Sequence, residues 1–247
     1  MLSSRIIVFD LYETLIHEPD YSWNRVYQYL IKEVFTSNPS LEEVTKYCFE
    51  YWAPKYRDRG CNEIDIEDEL NDLINRYGIK EDLTLSDVTL NCLYEVGRCC
   101  LFDDTIDVLN ELTKLGFEIH LLSNCIYHKK QMIHLLDKFA ITKYFTSIHF
   151  SSDYMVRKPC DKFFNVVIND VKNRYSNIDI KDIIFSGDNF EADIMGAHNS
   201  GLQPIFINRK NQDLKELENK YNLKSNDYIV VNNLTQLLEK VKEEIEA

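Results

Sequence analysis

Four consecutive apolar residues, Ile6-Ile7-Val8-Phe9, run straight into Asp10 and the polar turn Tyr12-Glu13-Thr14. A short apolar run without alternation reads as a strand buried on both faces, the habit of parallel sheets. The pattern then changes. Trp23, Val26, Tyr27, Leu30 and Val34 recur at helical spacing and stop before Asn38-Pro39. Ser40-Leu41-Glu42-Glu43 has the form of a capping box. It opens a helix carrying Leu41, Val44, Cys48, Tyr51 and Trp52, which Pro54 is expected to end. Lys55 to Glu63 reads as a loop, and Leu70, Leu73, Ile74 and Tyr77 form a further stripe closed by Gly78. Another helix is predicted from Ser86 to Cys99. Residues 18–100 thus read as an all-helical insert whose aromatic stripes are expected to be core packing.

From Asp103 helices and strands alternate. A helix with Ile106, Leu109, Leu112 and Leu115 ends at Gly116, and Phe117–Leu122 is a strand. Helix 127–139, strand 146–150, helix 160–175 and strand Ile183-Ile184-Phe185 follow. Helix 190–199 closes at Gly201, and strands at Pro204–Ile207 and Tyr228–Val231 precede a last helix from Leu234. Repeated βα units predict an α/β fold, a doubly wound parallel sheet with helices on both faces. Residues 1–17 plus 101–247 would form this core, and 18–100 the insert.

Composition narrows the partners. With 45% hydrophobic residues the 247-residue chain can bury a large core. Its 28 basic and 41 acidic residues give a net charge of −13, which disfavours nucleic acid or an anionic membrane as partner. A small phosphorylated substrate stays open, since one cationic pocket can override the global field. The seven cysteines, Cys48, Cys61, Cys92, Cys99, Cys100, Cys125 and Cys160, form no C-x-x-C pair. They read as buried free thiols in a reducing compartment. With the first strand starting at Ile6 and no apolar stretch long enough for a bilayer, a cytoplasmic protein without signal peptide is expected. A homodimer is among the assemblies left open.

Chemistry-bearing residues stand where strands should end. Asp10 follows the first strand, Ser123-Asn124 follows Leu121-Leu122, Lys158-Pro159 follows the next, and Gly187-Asp188 follows Phe185-Ser186, with Asp193 beyond. In a sheet centred on the first strand, these ends converge at the switch point. Each has a plain structural reading alone: a helix cap, a solvated lysine, a turn residue. Together they suit one reaction. Asp10 can attack as a carboxylate nucleophile. Asp188 would repel Asp10 unless a cation such as Mg²⁺ lies between them. Ser123 and Lys158 can stabilise a phosphoryl group, and Asp193 is placed to order a metal-bound water or Lys158.

These segments resemble the four motifs of the haloacid dehalogenase-like hydrolase superfamily, in order and along the whole chain. Asp10–Leu15 resembles the first, Ser123-Asn124 the second, Lys158-Pro159 the third, and Gly187-Asp188 to Asp193 the fourth. The resemblance implies a Rossmann-like core with a helical cap at 18–100 and a catalytic Asp10. It implies Mg²⁺ held by Asp10, the Tyr12 carbonyl and Asp188, and Ser123 with Lys158 as the phosphate-binding pair. Tyr12, Thr14 and Asn124 would contact substrate.

Position 12 departs from the phosphatase pattern. Phosphatases of the superfamily carry a second Asp there as general acid/base, whereas the 2-haloacid dehalogenases carry Tyr. Those dehalogenases usually lack the first acid of the fourth motif, which this chain keeps as Asp188. Glu13 stands where the family has Gly or another small residue. The expected function is a Mg²⁺-dependent phosphatase acting on a small phosphate ester through an aspartyl-phosphate. The alternatives are a 2-haloacid dehalogenase and a weakly active binding or regulatory protein. A phosphonate hydrolase would need a cap lysine, and nothing around Lys32, Lys46 or Lys55 singles one out. Among the cap aromatics, Tyr21, Trp23, Tyr27, Tyr51 and Trp52 could line a pocket.

Overall fold

The computed structural model describes residues 5–246; the expectation about a signal peptide rests on residues outside them. Ile6–Phe9 (β1) leads through a turn to Ile16–His17 (β2). Five helices follow: Trp23–Tyr29 (α1, prolonged by a wider π-type turn, Leu30–Val34), Leu41–Tyr51 (α2), Ala53–Arg57 (α3), Ile66–Tyr77 (α4) and Leu85–Gly97 (α5). Next come Cys100–Leu101 (β3), Thr105–Lys114 (α6), Glu118–Ser123 (β4), Lys129–Lys138 (α7) and Phe145–Phe150 (β5). The chain continues with Asp161–Arg174 (α8), Ile183–Gly187 (β6), Gly196–Asn199 (α9) and Gln203–Ile207 (β7). Leu214–Tyr221 (α10), Ile229–Val231 (β8) and Leu234–Glu246 (α11) complete it.

Six strands form one parallel sheet in the order β5-β4-β1-β6-β7-β8. The chain winds outward through β4 and β5, then crosses back to β6, so the switch point lies beside β1. Successive side chains of β1 point to opposite faces. Ile7 and Phe9 pack with Leu109, Leu112, Leu136 and Leu237, whereas Ile6 and Val8 meet Phe163, Phe164 and Val167 of α8. A strand buried on both faces cannot alternate in polarity, which explains the unbroken apolar run.

Helices α1–α5 leave the core between β2 and β3, which pair antiparallel as a two-strand ribbon (Ile16↔Leu101, His17↔Cys100). Their buried residues, Val26, Leu30, Val44, Leu70 and Val88 among them, belong to the same apolar cluster as Ile7 and Phe9. Ser40 caps α2 by accepting from the Glu43 N–H at 3.1 Å. The reciprocal half of the capping box is replaced, because the Glu43 carboxylate accepts from Tyr77 instead. Pro54 does not end the helical path. It sits in the first turn of α3, where its missing N–H has no intrahelical partner to lose. Lys55–Arg57 is therefore helix rather than loop. All seven cysteines are free, yet only Cys48, Cys92 and Cys125 are buried and Cys61 is exposed. No helix among the described residues is long and apolar enough to cross a membrane.

A polar clasp joins insert to core. His128, just before α7, places Nε2 2.9 Å from Asp65 at the start of α4 and Nδ1 3.2 Å from Asp153. Burial lowers its basicity, but the hydrogen bonds and charges of Asp65 and Asp153 outweigh that and raise its pKa. A histidine charged more readily in the folded state stabilises it fully below the unfolded value of ~6.5, and the contribution fades as pH rises through the raised folded value. The stability gap between the parent and His128→Gln should accordingly be larger at pH 6 than at pH 9 in urea denaturation. An equal gap, or one larger at pH 9, would show that the imidazolium does not clasp these elements.

Candidate active site

Asp10 is fixed by the sheet itself: its N–H donates to the Ser186 carbonyl at 2.9 Å, extending the β1–β6 ladder by one residue. The residue is 6% exposed, and its carboxylate is held on one side. Oδ1 accepts from Lys158 Nζ at 2.7 Å and from Ser123 Oγ, at the end of β4, at 3.0 Å. Oδ2 has only a long contact from Thr14 Oγ1, 3.4 Å away. Lys158 is 2% exposed, and its ammonium also donates to Asp193 Oδ1 at 2.6 Å. Asn124 holds the Lys158 main chain from both sides, donating to its carbonyl (3.0 Å) and accepting from its N–H (2.8 Å). The other Asp193 oxygen accepts from the Asn189 N–H at 2.9 Å. This carboxylate occupies the space a side chain on Gly187 would fill, so only glycine fits before Asp188.

Asp10, Ser123, Asn124, Lys158, Asp188 and Asp193 are thus brought to one place, as their positions at strand ends predict. Asp10, Asp188 and Asp193 each offer a carboxylate oxygen, all within 4.8 Å of one another. Burial raises the Asp193 carboxyl to about 7, with Lys158 opposing and Asp10 adding to the rise. Burial and then the charge of Asp10 raise Asp188 to about 6, although Lys210 lies 3.1 Å away. Burial would lower the Lys158 pKa, but Asp10 and Asp193 more than reverse that. The cluster carries more negative charge than its lysines offset. Hard carboxylate oxygens in that arrangement fit Mg²⁺. With both Asp193 oxygens engaged, Asp10 and Asp188 are the ones left to hold it.

Tyr12 does not hydrogen-bond to the Asp10 carboxylate. Its hydroxyl lies 4.0 Å from Cys125 Sγ and 3.7 Å from Met132 Sδ. Burial, followed by the Cys125 thiol, pushes its pKa well above 10.0. Glu13 sits in the left-handed region at φ 57°, which accounts for glycine being suited to this position. Its Oε1 accepts from the Glu18 N–H at 3.1 Å, so the carboxylate serves the turn.

Two cavities meet here. One of about 480 Å³ contains Asp10, Lys158, Asp188, Asp193 and Lys210. The other, about 920 Å³, lies between core and insert. Tyr12, Arg57, Arg59, Asn124 and Arg157 border both and form the neck between them. Of the aromatics that could line a pocket, Tyr21, Trp23, Tyr27 and Trp52 border the larger cavity, and Tyr27 and Trp52 are at the same time buried in the core as expected. Tyr51 is 49% exposed and does not border the cavity. Sequence reasoning missed Arg59, Arg157, Glu69 and Lys210. Only the adjacency of Arg157 to Lys158 could have signalled one of them.

The sequence profile of haloacid dehalogenase-like hydrolases matches residues 7–207. No curated protein sequence matches the chain. Several solved structures share the fold. A HAD phosphatase from Thermococcus onnurineus is 18% identical, with a TM-score of 0.64 over 96% of this chain and 97% of its own. A 2-haloacid dehalogenase from Pseudomonas syringae pv. Tomato DC3000 is also 18% identical, with a TM-score of 0.64 over 97% and 99%. YfnB from Bacillus subtilis, named as a HAD-hydrolase and bound to magnesium, is 18% identical, with a TM-score of 0.56 over 96% and 97%.

Burial of Lys158 between two carboxylates gives it a structural part. Removing one partner of a buried ion cluster leaves uncompensated charge, typically at a cost of about 3–5 kcal/mol. Lys158→Met should lose stability on that scale at pH 8 in urea denaturation and lose affinity for vanadate. Adding Asp193→Asn should recover part of the stability. A single variant as stable as the parent would show that Lys158 does not hold the cluster together. For the metal, Asp188→Asn should abolish the thermal shift produced by Mg²⁺, and an undiminished shift would remove Asp188 from the site.

Proposed function

Because the chain belongs to the haloacid dehalogenase-like hydrolase family, we propose that its site is that of a Mg²⁺-dependent phosphatase acting on a small phosphate ester. The convergence of Asp188 on Asp10 carries this proposal. A second carboxylate beside the nucleophile only repels an anionic substrate unless a divalent cation offsets both. The magnesium in the Bacillus subtilis relative supports the same assignment. Asp10 and Asp188 would hold the ion, with the Tyr12 main-chain carbonyl as a third ligand. Bound there, Mg²⁺ would supply charge neutralisation for the phosphoryl group.

The chain's own residues then divide the work. Ser123 and Lys158 engage Asp10 Oδ1 and hold the carboxylate in one orientation. Oδ2, with its single long contact, has the lone pair for attack. It forms an O–P bond while the bond from phosphorus to the ester oxygen breaks, giving an aspartyl-phosphate and an alkoxide, which takes its proton from solvent water. Water then attacks this phosphorus, releasing phosphate and restoring Asp10. Lys158 also faces the charge that develops on the phosphoryl oxygens. No carboxylate stands at position 12 to protonate the leaving oxygen, and the Tyr12 hydroxyl is turned to sulfur atoms. Absence of a general acid costs ~10²–10⁴ in rate, so esters with good leaving groups should be hydrolysed far faster than alkyl phosphates.

A second reading is 2-haloacid dehalogenation, favoured by Tyr12 itself. Halide leaves without needing a proton. Phosphate release from p-nitrophenyl phosphate with Mg²⁺, and chloride release from 2-chloropropionate with chelator, measured on one preparation, separate the two. We expect phosphate release that chelation abolishes. Metal-independent chloride release without phosphatase activity would assign the second reading, and negligible turnover in both assays would leave a binding role. Tyr12→Asp should raise hydrolysis of alkyl phosphates at least tenfold, with a smaller gain on p-nitrophenyl phosphate. No gain in a folded, Mg²⁺-binding variant would count against the phosphatase.

A further inference from the structure

Past the arginine neck, the 920 Å³ cavity changes character. Its far wall belongs to the insert: Trp23 and Tyr27 of α1, Trp52 after α2, Tyr56 of α3 and Glu69 of α4. Glu69 is 2% exposed, and its Oε2 accepts from the Tyr56 hydroxyl at 2.7 Å. Among the described residues no Lys, Arg or His forms an ion pair with it. Burial accordingly pushes its pKa up. A carboxylate removed from water without a counter-charge is costly, so its place here calls for an explanation. Glu63, at the neck, differs: Arg59 at 2.8 Å and Arg157 at 3.3 Å match its charge. Arg59 and Arg157 are therefore committed to Glu63 and Arg57 to Asp58, so the charge of Glu69 is opposed only at longer range, by the exposed Lys55.

A second observation is independent of the acid. Tyr127, 3% exposed, borders the same cavity, and its hydroxyl has no hydrogen-bond partner among the described residues. Buried phenols are normally satisfied, so this wall of the cavity carries a second polar group, besides Glu69, without a matched partner. Trp52 already shows the affinity of these rings for positive charge, since the ammonium of the exposed Lys55 lies 3.7 Å over its ring. Aromatic faces carry negative electrostatic potential, and several of them around one carboxylate attract an ammonium group.

We propose that this cavity binds a positively charged amine, protonated or quaternary, carried on the alcohol portion of the substrate. The substrate class is then an amino-alcohol phosphate, its phosphoryl end passing Tyr12 and Asn124 to reach Asp10 and its ammonium resting among Trp23, Tyr27, Trp52 and Glu69. The phosphoryl half of this assignment rests on the phosphatase proposal, and the ammonium half does not.

Trp23 and Trp52 are the only tryptophans of the chain, so intrinsic fluorescence reports directly on the cavity. Three probes of nearly the same shape differ in charge: choline, 3,3-dimethylbutan-1-ol and 3,3-dimethylbutanoate. At fixed ionic strength, choline should change the fluorescence saturably and bind at least tenfold more tightly than the neutral alcohol, with the carboxylate weakest. Glu69→Gln, with an unchanged circular dichroism spectrum, should erase the preference for choline over the alcohol. Should that variant fail to fold, the ranking on the parent protein still decides. Equal binding of choline and the alcohol, tightest binding of the carboxylate, or no saturable response to choline would each overturn the proposal. The probes carry no phosphate and the readout involves no turnover. Failure here is thus distinct from failure to release phosphate from p-nitrophenyl phosphate.

Discussion

Three carboxylates gather at the end of one sheet, where water is largely excluded and mutual repulsion is strong. Much of the surrounding geometry serves to hold them there. The β1–β6 ladder fixes Asp10 through the Ser186 carbonyl, the side chain of Asn124 grips the main chain of Lys158, and the Asn189 N–H pins Asp193. No single one of these bonds is strong, each being worth about 0.5–1.5 kcal/mol net. Their combined effect is to prevent the charges from relaxing apart. The result is a site that favours cations, although under the proposed function it must also admit an anionic substrate.

Much of this was readable from the chain alone. Strand ends carry the chemistry in a doubly wound sheet, so Asp10, Ser123 and Asp188 could be located from three apolar runs and the residues that stop them, and Lys158 from the loop that follows the strand at 146–150. The alternation of elements from Asp103 onward fixed the core, and the helical periodicity from Trp23 fixed the insert. The residues that went unseen are those whose role depends on tertiary approach. Glu69 follows Glu67 and Asp68 in an acidic first turn, which disguised its place on the buried face with Ile66, Leu70 and Leu73. Lys210 and Arg59 lie in polar stretches and meet the site only because the chain folds back on itself. Helix α10, capped by Asp213, has no fully buried residue and so gave too weak a stripe to read. The turn of helix after Pro54 was masked by the usual sense of proline as a stop, although proline is welcome at a helix start.

Net charge was a poor guide to local chemistry. A chain of net charge −13 still assembles Arg57, Arg59, Arg157, Lys158 and Lys210 around a single opening. Acidic residues elsewhere on the surface act through screened distances beyond roughly 8–10 Å at physiological salt. The lysines and arginines act at contact range inside a cleft. What the global charge does suggest is weak affinity for polyanions, and that is compatible with recognising one phosphate in a pocket.

The two-residue ribbon that joins β2 to β3 has a consequence for how the chain can assemble. Ile6 must find Glu118 across the entire insert before β1 and β4 can pair, an encounter between distant parts of the chain that slows folding in proportion to topological distance. When Ile16 meets Leu101 and His17 meets Cys100, the entry and exit of the insert become neighbours. The excursion is then closed off as a side loop, and its length no longer counts against the central pairing. Seen this way, the ribbon is a topological shortcut. It lets a sheet with local wiring carry an insert whose size can vary without lengthening the search for its own first contact.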